Sequence, residues 1–250
     1  MAKWRNARDL KSLTLETLWV RVPPRLPLSN QMLQYNKSYF PNTKFIFALS
    51  GGIDSVAACH SLKKKNFNFI AVHINNKFIE QDDQIAQDVQ RFCYKEQIPL
   101  HTIISAEKYS KGSKEDFCRN LRYKALREYA KSQGIDFICT AHHLDDCVES
   151  YFLNFLKGHP EFVPIQFYCK YPEVTIFRPF LLNKKIDFAK HVMDINLVEY
   201  VREDELNSDM TLMRNWTRKV VLPIIDKKYK GLHKVVFKKM KVHLDSVVKN

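Results

Sequence analysis

The sequence predicts an α/β fold, a doubly wound parallel sheet followed by a small helical C-terminal extension. Three observations carry this. From Lys44 onward short β-rich runs alternate with amphipathic stretches, the pattern of a parallel sheet wrapped by helices. The first run leads through a Ser-Gly-Gly turn directly into a helical stretch. A length of 250 residues with 45% hydrophobic residues fills one substantial domain and a small appendage.

Residues 1–43 read as an irregular N-terminal segment, because Trp19 to Pro27 is dense in proline and has neither helical nor strand period. Two accounts of it stand side by side. Val20-Arg21-Val22-Pro23 is what the T-arm of a tRNA gene encodes in one frame, which makes the segment non-native coding sequence with Met32 as the functional start; otherwise it is a disordered basic arm. Residues 44–226 form the domain. Its strands are expected at Phe45 to Leu49, Phe69 to Ile74, Leu100 to Ile104 and Phe137 to Thr140, with helices at Asp54 to Lys65, Gln81 to Gln97, Lys114 to Gln133 and His143 to Leu156. After Gly158 the prolines at 160, 164, 172 and 179 mark a loop-rich region, and helical patterns resume near Lys184 to Asn196 and Met210 to Val221. Residues 227–250 form a basic helical tail. Leu232, Val235, Val236, Met240, Leu244 and Val247 recur at helical spacing, so it is expected to dock one face and leave its lysines solvated.

Forty Lys and Arg against 27 Asp and Glu give a charge of +13, which favours a polyanionic partner. The six cysteines contain no C-x-x-C pair, so zinc-ribbon and iron–sulfur spacings are missing and they read as reduced thiols. No apolar run approaches the roughly 20 residues that span a bilayer. A membrane is therefore not an expected partner, and the expected compartment is the cytoplasm or an organelle interior.

Ser50-Gly51-Gly52-Ile53-Asp54-Ser55 joins a strand to a helix and makes a compact anion site. The glycines permit a tight turn with exposed N–H groups, Ser50 and Ser55 add hydroxyls, and the helix offers its positive N-terminus. The Gly-Lys-Ser/Thr ending of a Walker motif is absent, so pyrophosphate is favoured as the bound group. Asp54 would repel a bare phosphate but becomes useful where Mg²⁺ bridges it to a nucleotide.

These residues resemble the PP-loop of the N-type ATP pyrophosphatases, whose fold is adenine nucleotide alpha hydrolase-like and whose members adenylate an oxygen of their substrate. Further segments resemble tRNA(Ile)-lysidine synthase. They are Cys118-Arg119-Asn120-Leu121-Arg122-Tyr123, then Ala141-His142-His143-Leu144-Asp145-Asp146-Cys147-Val148-Glu149-Ser150, then Arg178-Pro179-Phe180-Leu181, Asp204-Glu205-Leu206-Asn207, Arg214-Asn215-Trp216-Thr217-Arg218 and Leu222-Pro223. The resemblance implies a ligase that uses ATP and Mg²⁺ to adenylate C2 of the wobble cytidine of tRNA(Ile) with a CAU anticodon and then attaches free L-lysine. It implies ATP on Ser50, Gly51, Gly52, Ile53, Asp54, Ser55 and His73, the metal on Asp54, and lysine on Asp146 and Glu149. Asp54, Arg122, His142 and Asp146 are the catalytic candidates.

The residues themselves agree with this. In a helix starting after Ala141, His142, Asp146 and Glu149 fall at i, i+4 and i+7, which stacks an imidazole and two carboxylates on one face and attracts an ammonium group. The bland alternative is an acidic helix start that complements the macrodipole. Arg119 and Arg122 share a face at i, i+3, and Arg122 is the candidate for charge on the α-phosphate. Arg214, Asn215 and Arg218 offer contacts to tRNA phosphate, with ion pairs to Glu203 or Asp204 as the competing use.

Three places depart from the family's pattern: His73-Ile74-Asn75-Asn76-Lys77-Phe78, Gly158-His159-Pro160-Glu161-Phe162, and Lys219 where a histidine is common. Two rivals stay open, a PP-loop tRNA base thiolase, which would need paired cysteines, and a non-catalytic RNA-binding relic of the fold.

Overall fold

The computed structural model describes residues 33–78, 80–105, 107, 109, 114–159, 163–202 and 209–248. The expectations for the N-terminal arm up to Met32, and for Asp204 to Asn207, lie outside them. Six strands form one sheet: β1 (Phe45–Ala48), β2 (Phe69–Asn75), β3 (Leu100–Ile104), β4 (Phe137–Cys139), β5 (Tyr168–Lys170) and β6 (Thr175–Phe177). Their order is β3-β2-β1-β4-β6-β5, parallel except for β5, which pairs antiparallel with β6 at the edge.

Strand β1 shows why the sheet is covered on both faces. Phe45 and Phe47 point into one core with Val56, Ala57, Phe92 and Phe188, while Ile46 enters a second core with Val72, Leu126, Ala130 and Ile138. The two-residue period of the strand divides its side chains between two helical layers.

The helices are α1 (Ile53–Lys64), α2 (Glu80–Lys95), α3 (Lys114–Ser132), α4 (Leu144–Leu156), α5 (Lys185–Asp194), α6 (Met213–Trp216), α7 (Leu222–Lys228) and α8 (Leu232–Val248). Elements up to α4 fall within two residues of expectation. The hairpin β5–β6 is a correction: its strands are three residues each, below the length at which alternation is visible, and Pro164 and Pro172 flank the first of them. The pattern at Met210 to Val221 is also not one helix. It breaks into α6 and a π-helical turn, Thr217–Val221. Pro223 has no N–H to return to Lys219, which loosens the ladder at that turn.

Helix α8 docks on α4. Val236, Met240 and Leu244 are buried with Leu144, Cys147, Val148 and Phe167, each side chain worth about 1.5–3 kcal/mol when fully covered. No helix among the described residues is long and apolar enough to cross a membrane.

Candidate active site

Strand β1 pairs with β2 on one side and β4 on the other, so the ends of β1 and β4 bound the crevice where the winding reverses. A cleft of about 370 Å³ opens there. Ser50, Gly52, Ile53, Asp54, Ser55, His73, Arg119, Arg122, His142, Asp146, Arg214, Asn215 and Arg218 all line it. Six cationic side chains face three acidic ones across this lining, the others being Lys185, Arg202 and Asp82, so the cleft favours an anion.

The loop is built locally. Ser50 Oγ donates to Ser55 Oγ at 3.0 Å, and Ser55 Oγ lies 2.9 Å from the carbonyl oxygen of Gly52. Gly51 has φ +88°, and a Cβ there would sit 2.7 Å from Ile85 Cγ2, so conformation and space both demand glycine. Gly52 caps α1 without a side-chain hydrogen bond. The first amides of α1 therefore face the crevice without a capping side chain, as an anion site requires.

His73 is buried, and its Nδ1 donates to the carbonyl of Leu49 at 2.9 Å. Burial lowers its pKa, so the ring is neutral and keeps Nε2 as an acceptor.

At the end of β4 the sequence expectation needs correction. Helix α4 begins at Leu144 with His143 as its N-cap, so His142 precedes the helix and does not stack on Asp146 and Glu149. His142 instead shares a hydrogen bond of 2.7 Å with Thr140 Oγ1, and burial together with Arg178 pushes its pKa down to about 3. It is neutral at ordinary pH.

The other histidine of the pair holds the site together. His143 is buried; its backbone N–H donates to Asp146 Oδ2 at 3.0 Å, and the Asp146 amide donates to its Nδ1 at 3.3 Å, a reciprocal cap. Its Nε2 lies 3.4 Å from Asp54 Oδ2, which links α4 to the phosphate loop. Burial opposes the imidazolium, but Asp146, Asp54 and Asp145 outweigh it and raise the pKa to about 9. A proton taken up on Nδ1 competes with the cap. The signal was present in the sequence: a residue three positions before an Asp at a helix start is the cap.

Asp146 and Glu149 do share a face of α4, and both are engaged. Arg214 Nε donates to Glu149 Oε2 at 3.1 Å and Nη2 to Asp146 Oδ1 at 3.3 Å. Arg218 Nη2 donates to Glu149 Oε2 at 2.9 Å, its Nε pairs with Oε1, and Nη2 lies 3.5 Å from Asp146 Oδ1. Arg214 and Arg218 thus meet the carboxylates of α4. The competing partners expected from the sequence, Glu203 and Asp204, lie outside the described residues. The guanidinium groups and His143 hold the Asp146 carboxyl well below its usual range despite burial.

Two contacts were not foreseen. The backbone N–H of Arg202 donates to the carbonyl of Gly51 at 3.0 Å, and its side chain pairs with buried Asp88 of α2, clamping the phosphate loop from outside. Asp145 accepts from the Lys185 amide at 2.7 Å, tying the start of α5 to that of α4.

Residues 25–225 match a family described as the PP-loop domain, which is most of the chain. The chain belongs to the PP-loop domain family. The PP-loop chain is 31% identical over 206 residues to a tRNA(Ile)-lysidine synthase of Actinobacillus pleuropneumoniae, covering 80% of this chain and 47% of that protein. It is 31% identical over 199 residues to the enzyme of that name from Bacillus subtilis, covering 76% and 42%. The chain spans about half the length of the curated relatives it matches. A solved U34-tRNA thiolase from Methanococcus maripaludis aligns with TM-score 0.68 at 19% identity, covering 86% of this chain and 75% of that one, a likeness of fold. Family membership identifies the loop as an ATP-binding PP-loop.

Proposed function

We propose that this chain uses ATP to adenylate the C2 carbonyl oxygen of the wobble cytidine of tRNA(Ile) with a CAU anticodon, releasing pyrophosphate, and that an amine of free L-lysine then displaces AMP from that carbon to form lysidine. One observation carries the reading: the PP-loop and the start of α4, through His142 and Asp146, line a single cationic cleft, in a chain whose curated relatives bear the name of that ligase.

In this reading the uncapped amides of α1 and the hydroxyls of Ser50 and Ser55 bind the pyrophosphate part of ATP. Asp54 Oδ1 is buried without a hydrogen-bond partner while Oδ2 faces His143, so one carboxylate oxygen is available to Mg²⁺. In this reading the cation is shared between that carboxylate and the nucleotide's own phosphates. Bound Mg²⁺ supplies charge neutralisation at the phosphates. Arg122 stabilises charge on the α-phosphate, His73 Nε2 accepts from the nucleotide, and neutral His142 lies beside the activated base. We expect Asp54→Ala to lower AMP release about a hundredfold while leaving the fold intact; full tRNA-dependent AMP release by the variant refutes Asp54's role.

The lysine site has a consequence for binding order. Two carboxylates, Asp146 and Glu149, are matched by two guanidinium groups, Arg214 and Arg218. Lysine's ammonium enters as the arginines, with Asn215 beside them, turn to tRNA phosphate. RNA binding thus prepares the lysine pocket, and equilibrium dialysis of labelled lysine should show retention only with tRNA present. Incubation with ATP, Mg²⁺, labelled lysine and unmodified CAU tRNA tests the whole reading: label enters the tRNA. ATP-dependent sulfur incorporation in its place overturns the reading in favour of a thiolase. Against that rival, burial raises the pKa of Cys59, Cys93, Cys139 and Cys147, which keeps them as thiols. Absence of any ATP–pyrophosphate exchange would leave a non-catalytic RNA-binding relic.

A further inference from the structure

Carboxylates and imidazoles alternate along a line that runs from the C-terminal helices to the phosphate loop. Asp226 Oδ2 lies 3.7 Å from His233 Nδ1, and His233 Nε2 lies 3.2 Å from Asp145 Oδ1. Asp145 Oδ2 lies 3.9 Å from His143 Nδ1, and His143 Nε2 lies 3.4 Å from Asp54 Oδ2. Asp226 and His233 both fall beyond residue 225, where the family match ends.

We propose that His233, on α8, is a positioning residue of the site: it holds Asp145 and thereby leaves His143 to Asp54 at the PP-loop. The argument is one of competition. The His143 ring is surrounded by three carboxylates, Asp54 of α1 and Asp145 and Asp146 of α4, and each draws it. Asp146 is committed to Arg214 and Arg218 and to the cap. Asp145 has two anchors, the Lys185 amide on one oxygen and His233 on the other. Without the second anchor Asp145 is held through Oδ2 alone, by the Lys185 amide, and that oxygen already lies 3.9 Å from His143 Nδ1, so the charge that His233 had shared acts on the His143 ring. The ring is then pulled from Asp54, and the loop residue aimed at the nucleotide loses its lateral support. A contact 88 residues away in the chain, made by a helix outside the family match, thus sets the geometry of the loop, because His143 and Asp145 lie within that match and their partner His233 does not.

The proposal rests on the reading of the PP-loop as the ATP site, not on the identity of the second substrate. Helix α8 is anchored independently by Val236, Met240 and Leu244 and by His243 Nε2, which accepts from the Phe167 amide at 3.2 Å, so changes at His233 leave it docked. Calorimetric titration with Mg²⁺–ATP provides the test. His233→Leu should weaken ATP binding about fivefold, whereas His233→Gln, which keeps an N–H for Asp145, should stay within about twofold of wild type. In a double-mutant cycle, His233→Leu should add nothing to Asp145→Asn, while it should add fully to Arg122→Ala on α3. A His233→Leu protein that melts earlier but binds ATP as tightly as wild type overturns the proposal, and so does simple additivity with Asp145→Asn. Lysine transfer does not enter the measurement, so a chain that binds ATP in this pattern yet moves no lysine overturns the proposed function alone.

Discussion

The two halves of the site are made in different ways. The phosphate loop closes on itself within six residues, through Ser50, Gly52 and Ser55. The ion cluster joins Asp146 and Glu149 to Arg214 and Arg218 across 65 to 72 positions of sequence. A locally closed element keeps its shape as long as its own residues allow the turn; a cluster closed over long range exists only when the domain is assembled. The first is therefore specified by conformation, the second by charge balance in a half-buried setting.

Breaking the cluster should have the largest effect. Glu149 is buried and takes both guanidinium groups, so Glu149→Ala leaves two arginines to share Asp146 alone and should lower stability by about 3 kcal/mol. Thermal or urea unfolding reads this directly, and a loss below about 1 kcal/mol would mean that solvent already supports the arginines. Breaking the loop comes second. Gly51→Ala forces a Cβ onto Ile85 at a positive φ and should cost about 1–3 kcal/mol, with ATP affinity falling further than stability. Equal losses in both would show that the loop's shape is not what binds the nucleotide.

The smallest effect is a matter of pH and sharpens the contact between the halves. His143 has its pKa raised, so its contribution is complete below about 6.5 and is lost as pH climbs to about 9. Asp145 is lowered to about 2 by His233, His143 and the Lys185 amide, in spite of burial; its contribution is present above about 3.8 and is lost as pH falls through about 2. Melting temperature should thus decline on both sides of the interval between roughly pH 4 and 6.5. In a His143→Gln protein the alkaline decline should vanish, and its persistence would assign that limb to another group.

The difference between the halves also explains what was legible in the sequence. The strand, the Ser-Gly-Gly turn and α1 follow from short-range pattern, as do the parallel runs up to β4. At His142 and His143 the composition pointed to the right place and the helix period to the wrong ring: shifting the start of α4 to Leu144 hands the structural role to His143 and leaves His142 outside. The pairing of Glu149 with Arg214 and Arg218 had no local signal, since each arginine served equally well as a phosphate ligand or an ion-pair partner until its neighbours were known. Strands β5 and β6 were hidden by their brevity, and the tie of Arg202 to Gly51 is a backbone contact to which its side chain gives no clue.

The π-helical turn after Trp216 sets two demands against each other. Arg214 comes from α6 and Arg218 from the widened turn, and both reach the same carboxylate. Deleting one residue between Thr217 and Val221 would return the segment toward ordinary α-helical winding, a better helix by its own hydrogen bonds, and would swing the following residues about 100° around the axis. Arg214 and Arg218 lie ahead of a deletion at Lys219 or Val220 and keep their i, i+4 spacing, so what the widened turn sets against the better ladder is the direction in which Leu222 enters the core it shares with Val236 and Met240 of α8.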